Sequence, residues 1–426
     1  MKEFVFDVDY VRNQFPCLCR SVNGNPAAFF DGPGGTQVPV NVVEKMTDYL
    51  INHNANQAGH FITSVESDAL FKTGREVLAD FLGADSDEIA FGASSTSNLV
   101  RLAFGFARSF KPGDEVIITD IDHEGNRSPW RTLSDFGVVV KSVKVNPETC
   151  MLDMEDYEDK LTDKTKLVAV NWAANACGTI TDVAHIIKLA HDKGAITVVD
   201  AVHYAPHYPI DVKELDVDIL VCSAYKFFGP HLGIVYMKRS IGEKFKAVRV
   251  YADDNATMPS KLETGTPAFE NVLGAVAAVE FIADIGEKYL ECFAEKLGNS
   301  TGRRRKILAG MMAIAAYEKP LADYIRAELG KIDGIKLYMS PPDQPKTSTV
   351  SFTYRDINSS DVAEYLASKG IFVWYGDFYA LQIVNSVLKL GDRGGLVRVG
   401  LEPYNTRQEC DRLIESVKEF ANTAKL

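Results

Sequence analysis

Short apolar runs rich in Val and Ile alternate with helical periodicity through the first two thirds of this chain. Strand signals fall at 88–91, 115–119, 138–145, 167–171, 196–200, 219–223 and 233–237. Between them, helical spacing predicts helices over 95–109, 128–135 and 182–193. Earlier helices are predicted from Val40 to about Ile51, and from Ser64 or Ser67 to Leu82, where Gly83 supplies a stop. The strand runs are apolar throughout, without strict alternation, which suits a parallel sheet covered by helices on both faces. This is the pattern of an α/β layered domain.

The character changes near Pro267. A long apolar helix is predicted over 268–285, and 289–330 reads as mostly helical. Strand signals at 336–338, 349–354, 372–374 and 396–400, a helix over 360–369 and a final helix from Thr406 suggest a smaller α+β unit. The chain is loop-like as far as about Asn41 and contains FFDGPGGTQVP, whose glycines permit close backbone approach to a ligand. The expected division is an N-terminal segment over 1–30, a large α/β domain over 31–285 and a small C-terminal domain over 286–426.

Bulk properties narrow the function. At 426 residues the chain exceeds one compact core. Its 46% hydrophobic and 24% charged residues are ordinary for a globular enzyme. A net charge of −12 argues against nucleic acid and against an anionic membrane surface, while a local site for an anionic cofactor is still open. No run of ~18 uncharged apolar residues predicts a membrane span. Seven cysteines, an odd number, in a chain whose start carries no secretory apolar region suggest free thiols in the cytoplasm.

The residues with the most chemistry are Lys226 and Asp200. Lys226 follows Ser223 and precedes Phe227, Phe228 and Gly229, and Asp200 lies 26 positions upstream at the end of an apolar run. A lysine can form a Schiff base, Ser223 can help to hold a phosphate, and an Asp can pair with a pyridinium nitrogen, as pyridoxal 5′-phosphate requires. Taken singly, they read equally well as a loop lysine and a strand-end Asp. Other candidates fall at strand ends, where α/β sheets gather their functional residues. Ala93, Ser94 and Ser95 sit in a turn that opens a helix, either an anion site or a simple N-cap. His123 can stack on a planar ring or move protons. Asn175 can donate to a phenolate, or serve turn chemistry with Gly178. His203 and His207 have metal-ligand character, but Pro206 lies between them and no third ligand is evident. Cys17 and Cys19 have no second pair at zinc spacing, so no metal is expected.

Taken together, these motifs resemble the class V aminotransferase family of fold-type I pyridoxal phosphate enzymes, the group of cysteine desulfurases, selenocysteine lyases and kynureninase. The resemblance covers nearly the whole chain. It implies a catalytic set of Lys226, His123 and Asp200. It implies cofactor contacts from Ala93, Ser94, Ser95, His123, Asn175, Asp200, His203, Ser223, Tyr225 and Lys226. His203 is expected near the phenolic oxygen or Asp200. Thr266, in Gly265-Thr266-Pro267, is expected to reach the phosphate of a neighbouring subunit in a homodimer. Arg398 is expected to hold the substrate carboxylate, with further substrate contacts from Asn175, Gly34, Trp374 and Tyr379.

Two departures matter. The family's His before the lysine is Tyr225 here. In cysteine desulfurases a loop Cys carries the persulfide, whereas the matching position is Tyr379 and no Cys lies between Cys292 and Cys410. A persulfide relay needs a thiolate nucleophile. The expected reaction is therefore C–S or C–Se cleavage of an amino acid by elimination. Transamination or epimerisation is the alternative, and a cofactor-binding protein without turnover is the rival from another class. Lys226, Asp200 and Arg398 together argue against that rival, because a scaffold has no use for a carboxylate clamp.

Overall fold

A computed structural model describes residues 4–248 and 257–423. Its central sheet has seven strands: β1 (Ile89–Gly92), β2 (Glu115–Thr119), β3 (Val139–Val143), β4 (Thr165–Asn171), β5 (Ile196–Asp200), β6 (Ile219–Ser223) and β7 (Gly233–Met237). They lie in the order β1-β7-β6-β5-β4-β2-β3. The run from β6 to β3 is parallel, while β7 is antiparallel to both β6 and β1. The apolar pattern could not show this reversal, since β7 is as uniformly buried as its neighbours. The reason is the short link from Ser223 to Gly233, which leaves no room for a helical crossover and turns the chain back.

Both faces of the sheet are covered. Val168 and Val170 of β4 pack into a layer with Val272, Leu273 and Val276. The alternate residues Leu167 and Ala169 face Leu99, Leu102 and Phe106 on the other side. Continuous apolar strands follow from this double burial. Helices α1 (Val40–Asp48) and α2 (Ile62–Leu82) precede the sheet, and α2 ends at Gly83 with φ +75°. Helix α3 (Ser95–Ala107) follows β1, and α4 (Val183–Asp192) precedes β5.

The long helices α5 (Phe269–Tyr289) and α6 (Gly302–Leu329) lead to the C-terminal layer. They cross with backbones nearly touching: a Cβ on Gly286 would lie 1.8 Å from the Lys306 carbonyl oxygen. Regular helix is interrupted over 290–301, so the helical run is shorter than expected, and the interruption closes on Gly298 and Gly302 at φ of +50° and +55°. The C-terminal sheet is antiparallel, in the order β8-β9-β11-β10, from β8 (Ile335–Tyr338), β9 (Thr349–Tyr354), β10 (Trp374–Gly376) and β11 (Leu396–Gly400). The single strand expected near 372–374 is two. Ile371–Phe372 pairs with Ala28–Phe29, and β10 pairs with β11. The expected N-terminal loop also contains a helix, Val8–Arg12, capped by Asp7, and its Arg12 pairs with Glu409 at 2.9 Å.

Candidate active site

The carboxyl ends of the parallel strands face the C-terminal layer across a cavity of about 550 Å³. At one end lies the β1–α3 turn. Ser94 caps α3, its Oγ accepting from Ser97 N at 3.1 Å. Ser95 Oγ donates to the Cys222 carbonyl at 2.7 Å and lies 2.7 Å from Ser223 Oγ. Gly233 makes room for this turn, since a Cβ there would come within 2.3 Å of the Ser94 backbone. The result is a cluster of hydroxyls at the amino end of a 13-residue helix, where unpaired N–H groups favour an anion. Ser94, Ser95 and Ser223 line the cavity, as does Thr96 of the same turn. Ala93 belongs to the same turn but does not line the cavity.

Asp200 ends β5 with 7% exposure, and its Oδ1 accepts from Val202 N at 2.9 Å. Burial raises its pKa to about 6, against the pull of Lys226. Lys226 lies in the turn after β6, 9% exposed, and its Nζ donates to the Pro33 carbonyl. Burial and the nearby Arg398 lower its pKa to about 7. Tyr225 beside it stacks on His231 at 4.7 Å.

His123 follows β2. Its Nδ1 accepts from Gly125 N at 2.8 Å, so the neutral ring carries its proton on Nε2. Burial, then the charges of Lys226 and Arg398, lower its pKa to about 4, which keeps the ring neutral near pH 7. The loop is held from behind: Asp122 accepts from Thr119 Oγ1 and Asn126, while Arg127 bonds Asp120. Such a ring can stack on a planar ligand.

The C-terminal layer supplies the opposite wall. Arg398, on β11, is 3% exposed. Its Nη1 donates to the Asn175 carbonyl at 3.0 Å, and its guanidinium lies 3.9 Å from the Phe378 ring centre. Burial presses its pKa down, yet a guanidinium stays charged. Asn175 Nδ2 donates to the Phe378 carbonyl at 2.9 Å, while its buried Oδ1 has no partner among the described residues. His203 lines the cavity, but its Nε2 bonds Thr349 Oγ1 at 2.9 Å and Thr347 Oγ1 at 3.3 Å. Among the described residues it makes no hydrogen bond to Asp200; packing against β9 gives its Nε2 the threonine hydroxyls as partners.

The loop after β10 closes the mouth. Gly376, Phe378 and Tyr379 have φ of +122°, +57° and +56°, and Asp377 Oδ1 accepts from Tyr379 N at 3.0 Å. Tyr379 is 69% exposed, its ring centre 5.7 Å from that of His123. Trp374 covers Gly34 so closely that a Cβ there would meet the indole Nε1 at 2.1 Å. Thr266 is exposed and lies away from the cavity of its own chain. Sequence reasoning missed Pro33 and Phe378, which act through a carbonyl and a ring face and carry no chemical signature of their own. Pro33 could have been suspected from the glycine-rich FFDGPGG stretch.

The donor set fits pyridoxal phosphate: hydroxyls and a helix terminus at one end, a carboxylate at the other, and an amine of lowered pKa between them. No helix among the described residues is long and apolar enough to cross a membrane.

The Aminotransferase class-V family model matches residues 28–301 and 306–413. A probable cysteine desulfurase from Synechocystis sp. is 32% identical over 96% of this chain and 94% of its own length. The aminotransferase-like protein FGM3 from Gibberella zeae is 30% identical over 98% of this chain and 99% of its own. The apo structure of a cysteine desulfurase from Thermococcus onnurineus NA1 superposes with a TM-score of 0.84 at 26% identity, covering 99% of this chain and all of that one.

Proposed function

The chain belongs to the class V aminotransferase family of pyridoxal phosphate-dependent enzymes, and from that premise we propose that it cleaves the C–S (or C–Se) bond of an α-amino acid by β-elimination. One observation carries this reading. Lys226, Asp200 and Arg398 line one cavity with Tyr379 at its mouth, and we read Tyr379 as standing where a desulfurase would carry its thiol.

Ser94, Ser95, Ser223 and the amino end of α3 would hold the cofactor phosphate, Asp200 the ring nitrogen, Asn175 the phenolic oxygen, and His123 one ring face. When bound, the cofactor supplies an electron sink for a carbanion at the substrate α-carbon. Arg398 grips the substrate carboxylate through two parallel N–H···O bonds, which sets the α-carbon relative to the lysine. Lys226, a neutral amine above about pH 7, takes the α-proton. Phe378 and Trp374 shield the mouth from water. Loss of the sulfur or selenium leaving group from the β-carbon then needs no protein nucleophile.

The supporting likeness to cysteine desulfurases is full-length. FGM3, by its name, keeps transamination as the second reading. We further propose a homodimer in which Thr266 reaches the neighbouring cavity. The exposed Leu50, Ile51, Phe61, Ile62 and Val65, each at least half exposed, form the apolar surface such a dimer would cover. Cytoplasmic placement is supported by the seven cysteines, none in a disulfide among the described residues.

The deciding experiment is product analysis with cysteine and selenocysteine. Release of sulfide from cysteine and of selenide from selenocysteine, each with pyruvate and ammonia and unchanged in a Cys292→Ser, Cys410→Ser chain, is expected. Sulfide release that disappears in that double variant would sink direct elimination, and an oxo acid without sulfide would favour transamination.

A further inference from the structure

Behind the cavity lies a second cluster that the proposed reaction does not use. Glu402, two residues past the end of β11, is 1% exposed, and neither carboxylate oxygen meets a hydrogen-bond donor among the described residues. His207, in the turn after β5, is 1% exposed, and Glu318, on α6, is 2% exposed. His207 Nδ1 and Glu318 Oε2 are 2.8 Å apart. The other two atoms of this pair, His207 Nε2 and Glu318 Oε1, are buried and unpartnered among the described residues. One ligand atom from each of the three side chains lies within 4.8 Å of the others.

Burying such groups without partners is costly, and burial accordingly pushes both carboxyls well above the usual carboxylate range while no cation is bound. Among the described residues no Lys or Arg forms an ion pair with either glutamate. Lys226, whose charge is felt by Glu402, donates to the Pro33 carbonyl instead. A divalent cation answers all of these at once: it takes lone pairs from imidazole and carboxylates, and its charge cancels that of two carboxylates. The mixed nitrogen and oxygen set suits zinc better than the all-oxygen cages of calcium or magnesium.

We propose that His207, Glu318 and Glu402 bind a zinc ion that ties the strand-end turn after β5 to α6 and to the segment after β11. The site is distinct from the cofactor cavity and does not depend on which reaction occurs there. It is joined to that cavity mechanically. Glu402 packs against Gly32, where a Cβ would lie 2.2 Å from Oε1, and the next carbonyl, of Pro33, receives Lys226. The ion therefore braces the turn on which the lysine rests.

The test uses the cofactor-loaded enzyme, dialysed against a chelator, freed of it, and titrated with zinc chloride. Bound metal is read by elemental analysis and stability by the melting temperature. Stoichiometric zinc with a rise in melting temperature is expected. Glu402→Gln and His207→Gln should abolish that zinc, whereas a Cys17→Ser, Cys19→Ser chain should keep it. Should the buried-site variants fold poorly, the cobalt-loaded wild type decides: weak visible bands are expected, and a strong thiolate charge-transfer band overturns the assignment. Failure to bind zinc, or zinc lost with the Cys17 and Cys19 thiols, also overturns it.

Discussion

The Arg398 guanidinium lies over the Phe378 ring, 3.9 Å from its centre. The ring comes from a loop residue at φ +57° and the guanidinium from a buried strand. A cation held against an aromatic face in a dry site is strongly placed. The contact aims the remaining guanidinium edge into the cavity.

This pairing predicts that Phe378→Ala weakens substrate carboxylate binding more than it slows the chemical step. KM for the amino acid should rise roughly tenfold, about 1.4 kcal/mol, with a smaller change in kcat. Arg398→Lys keeps the charge but loses the planar fork, and should lower kcat/KM by roughly 10–100-fold. Steady-state kinetics with a panel of amino acids checks both. Unchanged kinetics in Arg398→Lys would remove the carboxylate role.

The lowered pKa of Lys226 sets a pH profile. Burial disfavours the ammonium, so the amine becomes neutral as pH rises through about 7 instead of near 10.5. Only the neutral amine attacks an aldehyde. Capture of added pyridoxal phosphate, measured as borohydride-fixed mass on Lys226, should therefore increase between pH 6 and 8 and then level off. A profile that climbs steadily to pH 10 contradicts this. Lys226→Ala should show no fixed mass at any pH.

Asp200→Asn should leave the fold intact and depress activity by on the order of 100-fold or more, because the carboxylate that would keep the ring nitrogen protonated is gone. Circular dichroism and turnover measured together check this. Activity near wild type would reassign the residue to a structural role.

The helix crossing at Gly286 makes a stability prediction far from the cavity. A Cβ there would sit 1.8 Å from the Lys306 carbonyl oxygen, so Gly286→Ala must push α5 and α6 apart. The expected destabilisation is about 1–3 kcal/mol, read from denaturant midpoints. An unchanged midpoint would mean that the crossing is not as tight as described.

For the proposed dimer, Ile51→Asp with Ile62→Asp should yield a monomer by light scattering, with reduced turnover. These side chains are 73% and 69% exposed in the single chain. A wild-type monomer with full activity would refute the shared site.

Much of this protein was determined by the sequence alone. Uniformly apolar runs such as Val168–Val170 dictated a sheet buried on both faces, because side chains alternate across a strand and both sides must be dry. Lys226, Asp200, His123 and Arg398 could be singled out as cavity residues because residue type and strand-end position both carry signal. Tertiary structure decided what depends on distance in space. It reversed β7, since direction follows from loop length and pairing, not from hydropathy. It turned His203 toward Thr349, put the featureless Phe378 against Arg398, and left Thr266 outside its own cavity. It also brought Glu318 and Glu402 to His207, from 111 and 195 positions along the chain. Spacing rules find ligands that share one turn of helix; they cannot find three that meet only where a turn, a helix and a strand end converge.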